Sequence, residues 1–218
     1  MLNVRHALIA AVLALSACAG QAPVAIPGAE SLNVDTPTYK VGDEWQFTGP
    51  GYQSRIHIVE VTEDTVVNER EVPARLATSA GCRTVSDRNL TTLPIIRPDG
   101  QARFNLGAGL RYLDFPLRVG KTWDQTLDMT SSGGPISSYF NRFTVETYEL
   151  VKVPAGTFKA FRIRHDQENL TSRRRFTQFF WWSPDVRWFV KSSTWRENGL
   201  GYGEAGGADL ELKSYSLK

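Results

Sequence analysis

The runs Phe161-Arg162-Ile163-Arg164-His165, Arg142-Phe143-Thr144-Val145-Glu146 and Leu210-Glu211-Leu212-Lys213 alternate apolar and polar residues one by one. Period two sends successive side chains to opposite faces of a strand, one buried and one wet. Short runs of this kind recur from about residue 40 onward, and no stretch there carries the 3.6-residue spacing of an amphipathic helix. Turn residues punctuate them: Pro98-Asp99, Pro184-Asp185, Gly100 and Gly156. Many short strands with close turns predict an all-β fold, antiparallel sheets forming a sandwich or an incomplete barrel. Parallel α/β units would need helices between the strands, and the sequence offers none.

A faint internal repeat runs through these strands. Val41-Gly42-Asp43-Glu44-Trp45 matches Val119-Gly120-Lys121-Thr122-Trp123. Val72-Pro73-Ala74 then answers Val153-Pro154-Ala155, and Pro98-Asp99 answers Pro184-Asp185. Two related β halves of roughly 80 residues each would produce that order, as would coincidence between short turn-like strings.

Three segments are the most informative: "FPLRVGKTW" (115–123), "VKVPAGTFKAFRI" (151–163) and "FFWWSPDVRWFVK" (179–191). Pro154 cannot donate to a ladder and Gly156 tolerates positive φ, so Val153 to Thr157 reads as a turn between paired strands. Pro184 suits the first corner of a second tight turn and Asp185 its second corner. In this order the three segments resemble a broad group of uncharacterised exported bacterial β-domain proteins, periplasmic domains of unknown function, many of them lipoproteins. The resemblance spans residues 115–191 and implies a β-rich periplasmic domain with no established activity. Members of that group often carry Gly where Arg187 stands, so the resemblance does not fix the 184–187 turn.

The strands around that turn hold Phe179, Phe180, Trp181, Trp182 and Trp188. Four consecutive aromatics project to both faces of a strand, so both faces must be covered. One reading is core on one side and a packed loop or partner on the other. The other is an apolar surface or groove for a hydrophobic ligand or an envelope protein.

The N-terminus carries an address. Arg5 precedes nine apolar residues, 7–15, and Leu15-Ser16-Ala17-Cys18 follows. Nine residues span roughly 14 Å as a helix, too short to cross a bilayer. The stretch reads as an export signal. Leu15 to Cys18 resembles the lipobox of bacterial lipoproteins. The resemblance implies cleavage after Ala17, diacylglycerol on the Cys18 sulfur and acylation of the new amine, palmitate included. Two or more acyl chains make a stable anchor where one does not. Ala19 follows the cysteine, and by resemblance to enteric lipoproteins this favours the outer membrane over the inner, with the body facing the periplasm. Ordinary secretion is the alternative, because Ala17-Cys18-Ala19 also fits a small-residue cleavage site. The resulting division is a signal peptide at 1–17, a lipidated tether at 18–39 marked by Pro23, Pro27 and Pro37, and one β-rich domain at 40–218. Fully extended, a tether of that length reaches roughly 65 Å.

Charge is balanced, with 25 Lys and Arg against 23 Asp and Glu, so there is no concentrated positive surface for nucleic acid. Arg173-Arg174-Arg175 reads as a solvated turn. Cys82 has no second cysteine beside it once Cys18 is lipidated, and it reads as a small buried hydrophobe. An unlipidated Cys18 could pair with it. His165 shares phase with Phe161 and Ile163 and is expected to face inward. "GYGEAG" (201–206) matches G-x-G-x-x-G, but only twelve residues follow Gly206, too few for the helix and acid of a dinucleotide site, so it reads as a loop. No G-x-S-x-G, H-E-x-x-H, C-x-x-C or P-loop is present. No catalytic residue, metal ligand or cofactor is assigned. The expected function is a membrane-anchored periplasmic lipoprotein with a binding or structural role. The rivals are an envelope hydrolase using scattered acids such as Asp124, Asp128, Glu146 and Glu149, and a carrier of a hydrophobic ligand.

Overall fold

The computed structural model describes residues 25–71, 81–106, 108–131, 134–193, 196–197, 200–201 and 209–218. The strands are β1 Glu44–Gly49, β2 Tyr52–Val61, β3 Thr65–Glu71, β4 Cys82–Asp87, β5 Thr91–Ile96, β6 Ala102–Asn105, β7 Leu110–Arg111, β8 Thr122–Ser131, β9 Ser137–Val153, β10 Gly156–Asn169, β11 Arg175–Ser183, β12 Trp188–Ser192, β13 Arg196–Glu197, β14 Leu200–Gly201 and β15 Leu210–Ser216. A single 3₁₀ turn, Ala29–Ser31, is the only helical element among the described residues.

All the pairings are antiparallel. The order β10-β9-β8-β6-β5-β4-β3-β2-β1-β15-β12-β11 returns to β10 through eight residue pairs, Phe161↔Trp182 to Glu168↔Arg175. Twelve strands therefore form an almost closed barrel, with the seams β6–β8 and β12–β15 held by two described pairs each. Closure removes exposed edges, which is how an all-β chain avoids templating its own aggregation.

The alternating runs sit where period two puts them. Phe143 and Val145 on β9, Phe161, Ile163 and His165 on β10, and Leu212 on β15 are buried. The segment between β6 and β8 also enters the core. Leu106, Leu110, Leu113 and Leu117 are buried there, with Phe115 and Tyr112 packed beside them, so the barrel is filled by its own chain.

The first repeat landmark is real at the level of geometry. Gly42 and Gly120 both take left-handed φ, 89° and 81°. Gly42 N donates to Ile58 O and Ile58 N to Asp43 O, each at 2.9 Å. Gly120 N donates to Val145 O at 2.8 Å and Val145 N to Lys121 O at 2.9 Å, the same pattern. Trp45 and Trp123 follow as buried second residues of β1 and β8. The other two landmarks are not equivalent. Val153-Pro154-Ala155 ends the second strand of its meander, whereas Val72 to Ala74 follow the third and lie outside the described residues. Pro98-Asp99 follows a fifth strand and Pro184-Asp185 a fourth.

The turn after β11 is shifted by one residue from the expected frame. Arg187 N donates to Pro184 O at 3.3 Å, so Pro184 opens the turn and Asp185 and Val186 occupy its corners. Arg187 itself is left-handed, with φ 57°.

The first part of the expected tether, 18–24, lies outside the described residues, as does the expected signal peptide at 1–17. From Ala25 the chain is held against the barrel. Ala25 bridges Glu149, and Ile26 N donates to Tyr148 O at 2.9 Å. Val34 exchanges hydrogen bonds with Leu117 at 2.9 and 2.8 Å. Ile26, Leu32 and Val34 pack on the core and Tyr39 is buried in it. The physical reason is that β8 and the turn at Gly120 leave the edge of β9 unpaired beyond Val145, where Ala25 and Ile26 occupy it, while Val34 pairs with Leu117. Prolines spaced through the segment gave it the look of a linker while its apolar residues made it a strap.

Candidate functional site

The five aromatics singled out in the sequence divide between the two faces of β11 and β12. Phe180, Trp182 and Trp188 point inward and are buried. Trp182, 0 % exposed, meets Phe115 edge-on at 5.2 Å, and Trp188 stacks on Trp45 at 4.6 Å. Phe180 meets Tyr112 edge-on at 5.6 Å. These three are core. Phe179 and Trp181 point outward and are half-buried.

A polar lattice surrounds the outer pair. The Arg162 guanidinium lies 4.4 Å from the centre of the Phe179 ring and 5.8 Å from that of Trp181. Lys191 Nζ is 5.7 Å from the Trp181 ring. Trp181 Nε1 donates to Glu149 Oε1 at 2.7 Å, and Thr147 Oγ1 donates to Glu149 Oε2 at 2.6 Å. Arg162 pairs with Glu146 at 3.2 Å, and Lys191 with Glu211 at 2.7 Å. Cation–π contacts of this kind are worth about 0.5–1 kcal/mol each at exposed sites. The register of β10 on β11 assembles the lattice: Arg162 stands opposite Trp181, and Arg164 opposite Phe179. Arg162 was legible as an outward residue of an alternating run. Its stacking on two rings depends on a neighbouring strand that no local pattern specifies.

The scattered acids are each engaged. Asp124 receives a forked pair from Arg142, 2.8 and 2.7 Å, which holds its carboxyl below the usual range. Asp128 accepts from Ser138 Oγ. Glu146 and Glu149 belong to the aromatic lattice. Elsewhere on the surface, Glu44 is held down to about 2 by its hydrogen bond from Arg55. Among the described residues, no three His, Cys, Asp or Glu side chains gather as a metal site. An open groove of about 290 Å³, lined by residues that include Gln46, Arg55, Glu71 and Lys213, lies away from the aromatics.

His165 faces inward, as its phase predicted, and is 0 % exposed. Its ring stacks on Phe143 at 4.0 Å, and Nε2 lies 2.9 Å from Asn141 Oδ1. Gln167 Nε2 donates to the same oxygen, which fixes that oxygen as an acceptor and Nε2 as the donor. Burial lowers the His165 pKa to about 3, so the ring is neutral at pH 7. Cys82 is buried on the inner face of β4. Arg173, Arg174 and Arg175 are exposed at the β10–β11 turn. Of the "GYGEAG" stretch, all but Gly201 lies outside the described residues, as does Cys18.

With this geometry in hand, comparison with solved structures places the fold. A protein of Bacteroides fragilis, described as exported and with a YmcC-like fold, superposes with a TM-score of 0.50 at 13 % identity, covering 85 % of this chain and 100 % of its own. The barrel has the YmcC-like fold. The hypothetical lipoprotein YmcC of Escherichia coli gives 0.48 at 10 % identity over 83 % of this chain and 89 % of its own. A Parabacteroides distasonis protein described as a lipoprotein gives 0.44 at 10 % identity over 84 % and 99 %. At these identities the likeness to the YmcC-like barrel is one of fold. No family model matches the chain, and no curated protein matches it.

Proposed function

We propose that this chain is a lipid-anchored protein of the bacterial envelope, with a non-catalytic binding role exercised from the outer face of β9 to β12. The observation that carries the reading is the division of the aromatics. Phe180, Trp182 and Trp188 are packed in the core, while Phe179 and Trp181 stand half-buried outside under Arg162 and Lys191. Aromatic and Arg side chains in one patch are the composition of protein–protein interfaces, and the notched acids Glu146 and Glu211 give it polar specificity. The occupant that suits it is another envelope protein. The anchor is Cys18 in Leu15-Ser16-Ala17-Cys18, with the outer membrane, facing the periplasm, as the address. The YmcC-like fold of an exported protein of Bacteroides fragilis agrees with an envelope setting.

Palmitate labelling of the wild-type and Cys18→Ser proteins tests the anchor. Label in the wild type alone is expected, and equal incorporation overturns it. A photocrosslinker placed at Phe179 is expected to join one defined envelope protein, while the same probe at exposed Lys159 does not. Equal capture at both positions, or none at Phe179, overturns the partner face.

A further inference from the structure

The end of the β9–β10 hairpin has two unlike faces. Val151 and Val153 on β9 and Phe158 and Ala160 on β10 are buried. The alternate residues Leu150, Lys152, Thr157 and Lys159 are exposed, Leu150 by 50 %. Register sets Leu150 opposite Lys159 and Lys152 opposite Thr157, so the four form one surface. Lys159 and Thr157 continue the inward phase of Phe161 and Ile163 along β10. Their exposure means that the hairpin stands beyond the barrel mouth. The ion-paired lysines among the described residues are Lys121 and Lys191, and neither Lys152 nor Lys159 has such a partner there. Nearby acids are taken: Glu149 accepts from Trp181 and Thr147, and Glu146 pairs with Arg162.

The N-terminal strap points at this surface. Ala25 bridges Glu149 in the antiparallel sense, and Ile26 N donates to Tyr148 O at 2.9 Å. At Ala25 the direction back toward Cys18 therefore runs along β9 to Val153, about 13 Å beyond Glu149. The stretch between Cys18 and Ala25 can span about 25 Å, enough to bring acyl chains on Cys18 to the hairpin end. The other end of β9, at Ser137, lies about 40 Å from Glu149 in the opposite direction.

We propose that the hairpin surface formed by Leu150, Lys152 and Lys159 docks on the anionic headgroups of the bilayer that holds the chain. It rests on Cys18 carrying the lipid. Two unpaired ammonium groups suit a negatively charged leaflet, their apolar stems can lie along it, and Leu150 supplies an apolar side chain between them. Contacts this few are weak alone, and the anchor strengthens them by making the encounter intramolecular. Phe179 and Trp181 belong to the opposite phase of the sheet and stay free for a protein partner.

Fluorescence quenching tests it. The full protein, purified from the membrane fraction, is labelled at Leu150→Cys with a thiol-reactive fluorophore and reconstituted in vesicles of phosphatidylethanolamine and phosphatidylglycerol that contain a nitroxide-headgroup lipid. Cys82 is buried, and the unsubstituted protein gives its labelling background. The label at Leu150→Cys is expected to be quenched, and a label at Ile136→Cys, exposed at the far end of β9, is not. Lys152→Gln with Lys159→Gln should lower the ratio of docked to undocked protein roughly 30-fold and remove most of the quenching. Phosphatidylcholine vesicles or high salt should do the same to the unsubstituted lysines. No quenching at Leu150→Cys, equal quenching at both positions, or quenching that the double lysine variant retains unchanged overturns the proposal. A protein that stays bound to the vesicles while its Leu150→Cys label is unquenched loses this contact alone. A protein that does not bind the vesicles at all loses the anchor, and the contact with it.

Discussion

Arg187 and Asp43, 144 residues apart, meet at 2.9 Å through Nη2 and Oδ1, and Asp43 is 0 % exposed. Nη1 of the same guanidinium donates to Thr38 O, and Asp43 also accepts from the backbone N–H of Lys40 and Lys218, each at 2.8 Å. One carboxylate thus joins the N-terminal strap, the β11–β12 turn and the C-terminus. Its counterpart in the repeat, Lys121, binds Asp114 Oδ2 and Pro116 O at 3.0 Å and so holds the segment that fills the barrel. Equivalent turns carry opposite charges, and each fixes a chain that crosses the barrel end.

Arg187→Ala is expected to destabilise the protein by about 3 kcal/mol, because it leaves a buried carboxylate without its cation. Arg187→Gly loses the same pair but relieves the left-handed φ, and should be about 1 kcal/mol less damaging. Urea unfolding midpoints of the two variants decide this. A loss below 1 kcal/mol for Arg187→Ala would show that the pair is dispensable.

Stability should fall with acid above the range where carboxylates titrate. His165 binds its proton at about 3 when folded and near 6.5 when unfolded. The unfolded chain takes up the extra proton as pH drops through 6.5, so folding loses about 2 kcal/mol between pH 7 and pH 5. His165→Gln should flatten that slope, as measured by urea unfolding at both pH values. An unchanged slope would place its origin elsewhere.

Trp181→Phe removes the donor to Glu149, a residue 4 % exposed, while keeping an aromatic ring over the sheet. A buried carboxylate short of one hydrogen bond costs about 1–3 kcal/mol. Glu149→Gln in the same background should recover part of the loss, because an amide is cheaper to leave underbonded than a charge. Additive losses in the double variant would refute the coupling.

Two glycines should separate strain from collision. Gly120→Ala has open space around the new methyl but a φ of 81°, for a cost of about 1–2 kcal/mol. Gly49→Ala would drive its methyl into the Asp209 carbonyl oxygen and should cost more, by parting β1 from the start of β15. Thermal unfolding ranks them, and the reverse order would count against the register of that strand pair.

Local chemistry was legible in the sequence. The alternation of Phe161 to His165, the turn at Pro154 to Gly156 and the inward phase of His165 all depend on neighbours close in the chain. What depended on distant residues was not. The turn at Arg187 could not be fixed because its left-handed backbone is held by Asp43, far away in sequence. Residues 25–39 looked like linker because their partners, Tyr148 and Glu149 on β9, Leu117 and the β11–β12 turn, lie far along the chain.

The docking of Ala25 and Ile26 on β9 sets how far this body can stray. Seven peptide steps separate Cys18 from Ala25, no more than about 25 Å when fully stretched. Acyl chains on Cys18 would therefore hold Ala25, where it bridges Glu149 on β9, within about that distance of the lipid headgroups.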